Sequence, residues 1–445
     1  MELPKELKDK FTYRVDLEGT NLYLLNLVFP VLEEKKFLIM NKETDECVID
    51  NVFTEIFPTC EDSIIVVQNS RGYYGIVSKN GDVLRKCEYS GMIQNFNEGI
   101  AIFEKEKHIG QDDTDDFLLG RRDSDYSYVM VNTKGKEVSR EYSNGISKFC
   151  CGRSIAEDKN FKYLVDGNGN EIKSFKANKY YFDEPYSEGL ITIERHFVSN
   201  DTYKSGYMDI NGNIVCKCQY VYAGPFSCGI AKVSNDPDEV KFEFIDKSFN
   251  VIKKVYDNEY RLRSCYERFI EGTIISKDKN GHNYKLYDTN FNVLFKSQYI
   301  YRLHGTESTL YAAKNRQGFW GIVDNNGKVK VPFIYNYIAD TASDNMINVS
   351  SKEGLYGCIN LKTFEEAVHC IYTDISPFSE GLAFARSPFV ECDRNVFILN
   401  KEGKTVPGVS FTKLGRQFTH GLSSIYDDTL DMRIMIDRNG NPVYS

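Results

Sequence analysis

The chain is written in short runs of alternating apolar and polar residues, each closed by a cluster of Gly, Asn, Asp or Ser. A period of two predicts half-buried strands, and the turn clusters mark where they reverse. One phrase recurs: an aromatic or apolar strand, a tight turn usually ending in Gly, and a second apolar strand. It reads Tyr73–Leu84 (YYGIVSKNGDVL), Tyr163–Ile172, Tyr207–Val215, Phe319–Val331, Val396–Val406 and Arg433–Val443. Weaker copies lie at Phe37–Ile49, Tyr128–Val138, Phe242–Ile252, Tyr284–Leu294 and Tyr356–Val368. Asn-Gly between apolar runs is a strong hairpin signal, and φ > 0 is expected at both of its turn residues.

A second phrase follows each hairpin: an aromatic, two turn residues, Gly and an alternating strand. Examples are FNEGIAIF (Phe96–Phe103), YSEGLITI (Tyr186–Ile193), FSCGIAKV (Phe226–Val233) and FSEGLAFA (Phe378–Ala385). Between the phrases stands a marker aromatic that ends the second hairpin strand: Tyr89, Tyr142, Tyr220, Tyr299, Tyr335 and Tyr372. A ring at one phase of every repeat is expected in the core between repeats. Hairpin anchors at Thr44, Gly81, Gly135, Gly169, Gly212, Asn250, Asn292, Gly327, Phe364, Gly403 and Gly440 give a period of about 40 residues. The wide gap from Gly81 to Gly135 marks an inserted loop at about 105–125. The fold class is therefore all-β: a tandem array of about ten β-meander units of ~40 residues, closed as a propeller-like ring or open as a curved superhelix. Residues 1–36 form an N-terminal strand segment, with runs around a turn at Gly19, that caps or closes the array at 37–445.

These phrases resemble the bacterial WG-repeat family, with its aromatic-Gly dipeptide, hairpin, apolar strand ending near Tyr, and Phe-Ser-Glu-Gly-Leu-Ala turn. Trp320-Gly321 carries the dipeptide, Tyr74-Gly75 and Tyr356-Gly357 carry it with Tyr, and Phe378–Ala383 matches the turn in full. The resemblance spans roughly 37–445 and implies a tandem all-β protein used for binding, without naming a partner.

Composition narrows the function. Aromatics are 13% and charged residues 27%, which suits a soluble, folded protein and rules out a long disordered one. The formal charge of −9, with no basic patch interleaved with the aromatics, argues against nucleic acid. No apolar run reaches membrane-helix length, and no leader pattern opens the chain, so no membrane contact is expected. Twelve cysteines in so long a chain read as free thiols in a reducing cytoplasm.

The candidate chemistry dissolves into the repeat. Glu98, Glu188, Glu271 and Glu380 share one position before the turn Gly, which suggests a hydrogen bond within the turn and not a catalytic acid. Cys151 and Cys228 occupy that same position, and Cys87, Cys218 and Cys370 stand two residues before a marker tyrosine. Neither they nor Cys150 and Cys216 form the paired spacing of a zinc site. The histidines (His108, His196, His282, His304, His369, His420) form no metal or nucleophile motif. Asp166–Asn170 opens like a calcium loop but has Glu171 and Ala177 at the sixth and twelfth positions. The acidic run Asp112–Asp116, with Arg121-Arg122, lies in the insertion and is the loop best placed for a partner. The expectation is a non-catalytic binding scaffold for a protein partner, with no catalytic residue, metal or cofactor and no binding residue singled out. The alternative is a glycan-binding or glycan-processing propeller-like protein, for which no convincing pair of acids is found.

Overall fold

The computed structural model describes residues 11–16, 22–27, 36–44, 47–48, 53–58, 64–106, 126–182, 185–199, 201–236, 241–256, 268–277, 283–390, 394–418, 421–427 and 432–443. These hold ten antiparallel sheets and no helix. The repeating sheet is a four-stranded meander, as in Tyr299–Arg302, Leu310–Lys314, Trp320–Asp324 and Val329–Tyr335, paired in chain order. The next sheet repeats it with Tyr337–Ile338, Met346–Ser350, Tyr356–Asn360 and Glu365–Tyr372. The turn phrase joins the first two strands, and the Asn-Gly turn joins the last two. Phe11–Asp16 and Leu22–Leu27 are strands; Gly19 lies outside the described residues.

The two turns exchange the geometries expected of them. Pairs with φ > 0 in succession fall in the turn phrase, at Glu98-Gly99, Cys151-Gly152, Glu188-Gly189, Cys228-Gly229, Glu271-Gly272, Asp344-Asn345 and Glu380-Gly381, so the turn phrase holds the two-residue hairpin. Ser187 and Leu190 exchange both backbone hydrogen bonds across it. At the Asn-Gly hairpins only one residue per turn is left-handed, as in Gly169 (φ 80) and Gly327 (φ 78). There an Asp or Asn at the first position does the second residue's work: the Asp166 carboxylate accepts the N–H groups of Asn168 and Asn170, both at 2.9 Å. In the weaker copies the left-handed residue is Phe249 (φ 64) or Phe291 (φ 61), one place before the expected anchors Asn250 and Asn292. A phenylalanine is strained there, by about 1 kcal/mol or more. Its ring compensates: Phe249 stacks on Tyr207 at 5.7 Å, and Phe291 meets Phe269 edge-on at 5.7 Å.

The aromatic-Gly dipeptide has a separate physical reason. In the hairpins starting at Tyr74, Ser205, Trp320 and Tyr356, the register shifts twice within a few residues. All four have Gly next in sequence (Gly75, Gly206, Gly321, Gly357). None needs a left-handed backbone, but a Cβ at Gly357 would stand 2.4 Å from the Val368 carbonyl oxygen, and one at Gly321 2.7 Å from that of Val331. The bulged partner strand fills the space a side chain would need. Hairpins with Tyr163-Leu164 and Tyr284-Lys285 at this place shift only once.

Each inner strand is buried on both faces, because consecutive sheets pack against each other. Ile347 and Val349 join the cluster of Leu310, Ala312 and Ile322 on one side, while Met346 joins Tyr372, Phe378 and Ala385 on the other. The last strand of the Trp320 sheet alternates toward its end, with Val331 and Tyr335 buried and Pro332 and Ile334 exposed. Tyr89, Tyr142, Tyr220, Tyr335 and Tyr372 are buried between repeats, as their phase predicts. Tyr299 is not: it is 43% exposed and begins a new strand. With one register shift missing, the preceding strand reaches its end two residues early, and Ser297 pairs with Tyr284 where Tyr335 pairs with Trp320.

The chain divides into two compact units, whose main bodies are Lys35–Val255 and Tyr256–Ser445. The first holds the strands from Leu22–Leu27 through Val251–Tyr256, and the second those from Thr273–Lys277 onward together with residues 11–15.

Candidate binding surface

The repeated acids link successive turns. The Glu98 carboxylate accepts the backbone N–H groups of Cys151 and Gly152, at 2.9 and 2.7 Å. Glu188 accepts Gly229 N–H at 3.0 Å, and Glu380 accepts Gly421 N–H at 2.8 Å. Each acid therefore reaches the same turn of the following repeat, not its own. The residue before it completes the link: Ser187 Oγ donates to Phe226 O at 2.7 Å, Ser379 Oγ to Phe418 O at 2.6 Å, and Asn97 Nδ2 to Phe149 O at 2.9 Å. Asp344 holds the Glu position of its own turn (φ 62), and a base from the hairpin turn of the following repeat pairs with the acid, Lys247 with Glu188 at 3.1 Å and Lys401 with Asp344 at 3.0 Å. These carboxylates are committed to holding repeats in register. The marker tyrosines repeat the device, donating from Tyr89, Tyr142 and Tyr335 to Glu137, Glu171 and Glu366, each at 3.1 Å. Burial pushes all three phenols up, out of reach of physiological titration.

Cys216 and Cys358 are buried, while Cys228 is exposed. Burial pushes the Cys87, Cys218 and Cys370 thiols up to about 11, which keeps them protonated and poorly nucleophilic. Cys151 and Cys228 take the left-handed backbone of the Glu position, φ 55 in both. Cys150 and Cys151 bring their sulfurs to 3.7 Å, and no group of metal-ligating residues forms among the described residues. His196 pairs with Asp201 at 2.9 Å and stacks on Tyr203, and His369 pairs with Glu366 at 3.1 Å. Asp166 spends its carboxylate on its own turn. His108, His282, His420 and the loop 107–125 lie outside the described residues.

What sequence reasoning did not single out is a trough in the second unit. Two adjoining hollows, of about 370 and 500 Å³, share Tyr299, Tyr301 and Arg302. The first continues to Arg268, Thr273–Lys277 and Tyr311, and the second to His304, Trp320, Tyr337 and Asp340. The rings hold one another: Tyr284 to Tyr299 at 4.6 Å, Tyr301 to Trp320 at 5.2 Å, Tyr299 to Trp320 at 5.8 Å. The Tyr301 hydroxyl donates to Ile338 O at 2.6 Å, so its ring orientation is fixed. Tyr337 is 45% exposed, like Tyr299. Arg302 Nε is buried and meets no acceptor among the described residues, and an unmet buried donor of this kind costs about 1–3 kcal/mol. The one signal in the sequence was that Tyr299 follows Lys285, at a place where stronger repeats carry Gly.

The class these features define is a tandem β-meander repeat protein with an aromatic-Gly bulge in its stronger units. The family described as WG containing repeat matches at 74–107, 206–236, 320–355 and 356–387, so repeats of this type are found at four places in the chain. The matches begin at or beside the four bulge glycines. No curated protein matches the chain. Among solved structures, the chain is similar to BamB from Moraxella catarrhalis, at 12% identity over 66% of this chain and 94% of that one, TM-score 0.29. It is also similar to Kluyveromyces lactis Hsv2, at 10% identity over 80% and 99%, TM-score 0.29.

Proposed function

We propose that this chain is a non-catalytic scaffold of the cytoplasm that binds a protein partner. The observation that carries this reading is the trough along Tyr299, Trp320 and Tyr337, where two exposed tyrosines and a half-buried tryptophan line one surface hollow. Exposed aromatics held by neighbours suit protein recognition, since they cover area at little cost in conformational entropy. The repeated acids support a non-catalytic role, because they spend their carboxylates on backbone N–H groups. Cys87, Cys150, Cys151, Cys216, Cys218, Cys358 and Cys370 are free thiols, which suits a reducing compartment. Rings beside Arg302 and Asp340 also favour a second reading, a glycan site. Affinity capture on the full chain, followed by direct binding of the purified captured protein, tests the first reading, with a glycan array as its rival. Array binding with no direct protein binder would reject it.

A further inference from the structure

The trough has a chemical sign as well as a shape. Among buried polar side-chain atoms without a partner in the described residues, Arg302 Nε is the one on a charged group, and it lies where the two hollows meet. Arg268 and Lys277 line the first hollow, while Asp340 is the single carboxylate lining the second. In a chain of net charge −9, a cationic hollow selects for an anion. The Arg302 side chain is only half-buried and lines both hollows, so its planar guanidinium can meet a carboxylate there through paired bonds.

The length of the trough narrows the ligand further. Its lining comes from three consecutive sheets, at Thr273–Lys277, Tyr299–Arg302 and Tyr337–Ile338. Sheets packed about 10 Å apart make that span about 20 Å, roughly six residues of extended chain. From this, and resting on the reading of the chain as a protein-binding scaffold, we infer that the trough holds an extended acidic peptide segment. A Glu or Asp side chain sits on Arg302, further acid faces Arg268 and Lys277, and apolar side chains lie against Tyr299, Trp320 and Tyr337.

The test is fluorescence anisotropy with the full chain and a fluorescein-labelled hexapeptide pool alternating Glu with Phe or Tyr. The matching Gln pool and hexagalacturonate are the comparisons. The Glu pool binds, and the Gln pool binds at least about tenfold more weakly, as expected for loss of a charge-assisted pair. Arg302→Gln and Arg302→Lys each lose about tenfold, and the exposed Tyr337→Ser loses severalfold with an unchanged melting temperature. Equal binding of the two pools to the wild-type chain overturns the inference without any variant. So do wild-type affinity in folded Arg302→Gln, no binding of the Glu pool, or binding of hexagalacturonate alone. If Arg302→Gln still binds the captured protein, the trough assignment falls while the scaffold reading stands. If the Glu pool binds through Arg302 but no protein is captured, it is the scaffold reading that fails.

Discussion

Replacing Gly321 by Ala adds one methyl group at a place already filled by the partner strand. The new Cβ would stand 2.7 Å from Val331 O and 3.0 Å from Phe333 Cγ, against ordinary contact at 3.4 Å or more. Backbone oxygen cannot step aside alone, so the double bulge opposite must open or slide. Overpacking of this kind costs about 1–3 kcal/mol. The residue does not need a left-handed backbone, so Ala also recovers about 0.4–1 kcal/mol by restricting the unfolded chain. The net effect is a loss of about 1–2 kcal/mol. Trp320 is the one tryptophan of the chain and sits beside the change, so its fluorescence in a urea titration reads this repeat locally. The midpoint should fall, and Gly357→Ala, with its closest contact at 2.4 Å, should cost more than Gly75→Ala, with its closest contact at 2.9 Å. A midpoint that rises in Gly321→Ala would refute the close-approach argument, because Gly→Ala in an unobstructed strand stabilises.

Gly189→Val and Gly381→Val should each cost about 1–3 kcal/mol by calorimetry, for a different reason: φ is 83 and 81 with no atom closer than 3.8 Å to the added Cβ, so the penalty is conformational. Glu380→Gly should destabilise by about 1 kcal/mol despite relieving φ 52, since the bond from Gly421 is lost; Cys151→Gly, where no carboxylate is at stake, should be neutral or stabilising in the same assay. Deleting Lys107–Asp123 should leave the melting temperature unchanged, because Glu106 and Tyr126 are directly paired neighbours that a short turn can join. Hydrogen bonds from Asn292 and Asn250 hold the Asp288 and Asp246 carboxyls below their usual range. Their stabilisation is present above the unfolded pKa and is lost as pH falls below about 4, so the acid loss of melting temperature should be shallower in Asp288→Asn.

The repeat was legible in the sequence because its signals are local. Asn-Gly, Glu-Gly and the buried aromatics Phe96, Phe226 and Phe378 each specify geometry within a few residues. The relations between repeats were less so. Nothing in FSEG says that its Glu bonds forward to the next turn, because the partner is a backbone N–H some forty residues on and any sequence offers one. Counting from the turns misplaced the anchors Asn250 and Asn292, because a phenylalanine stands at each left-handed position, where its packing against Phe269 or Tyr207 compensates the strain; it misplaced Tyr299 because the second register shift of that hairpin is missing. The trough was invisible for the same reason: it rests on a register shift that is absent.

That absent shift connects the repeat to its candidate function. An array of identical units presents the same residues at every step, so selective binding requires one step to differ. Lys285 stands where Gly allows the second bulge, and without that bulge the hairpin ends at Ser297, whose hydroxyl donates to Lys314 O. Tyr299 then falls two places past the core phase, and its ring comes to the surface beside Tyr284 and Trp320. The next unit has both shifts, buries Tyr335 and presents Tyr337 at the equivalent of Tyr299. Two neighbouring surface rings on either side of the single tryptophan thus arise from the repeat's own register. Arg302, at the end of the strand Tyr299 opens, is the charge that makes this step of the array unlike the others.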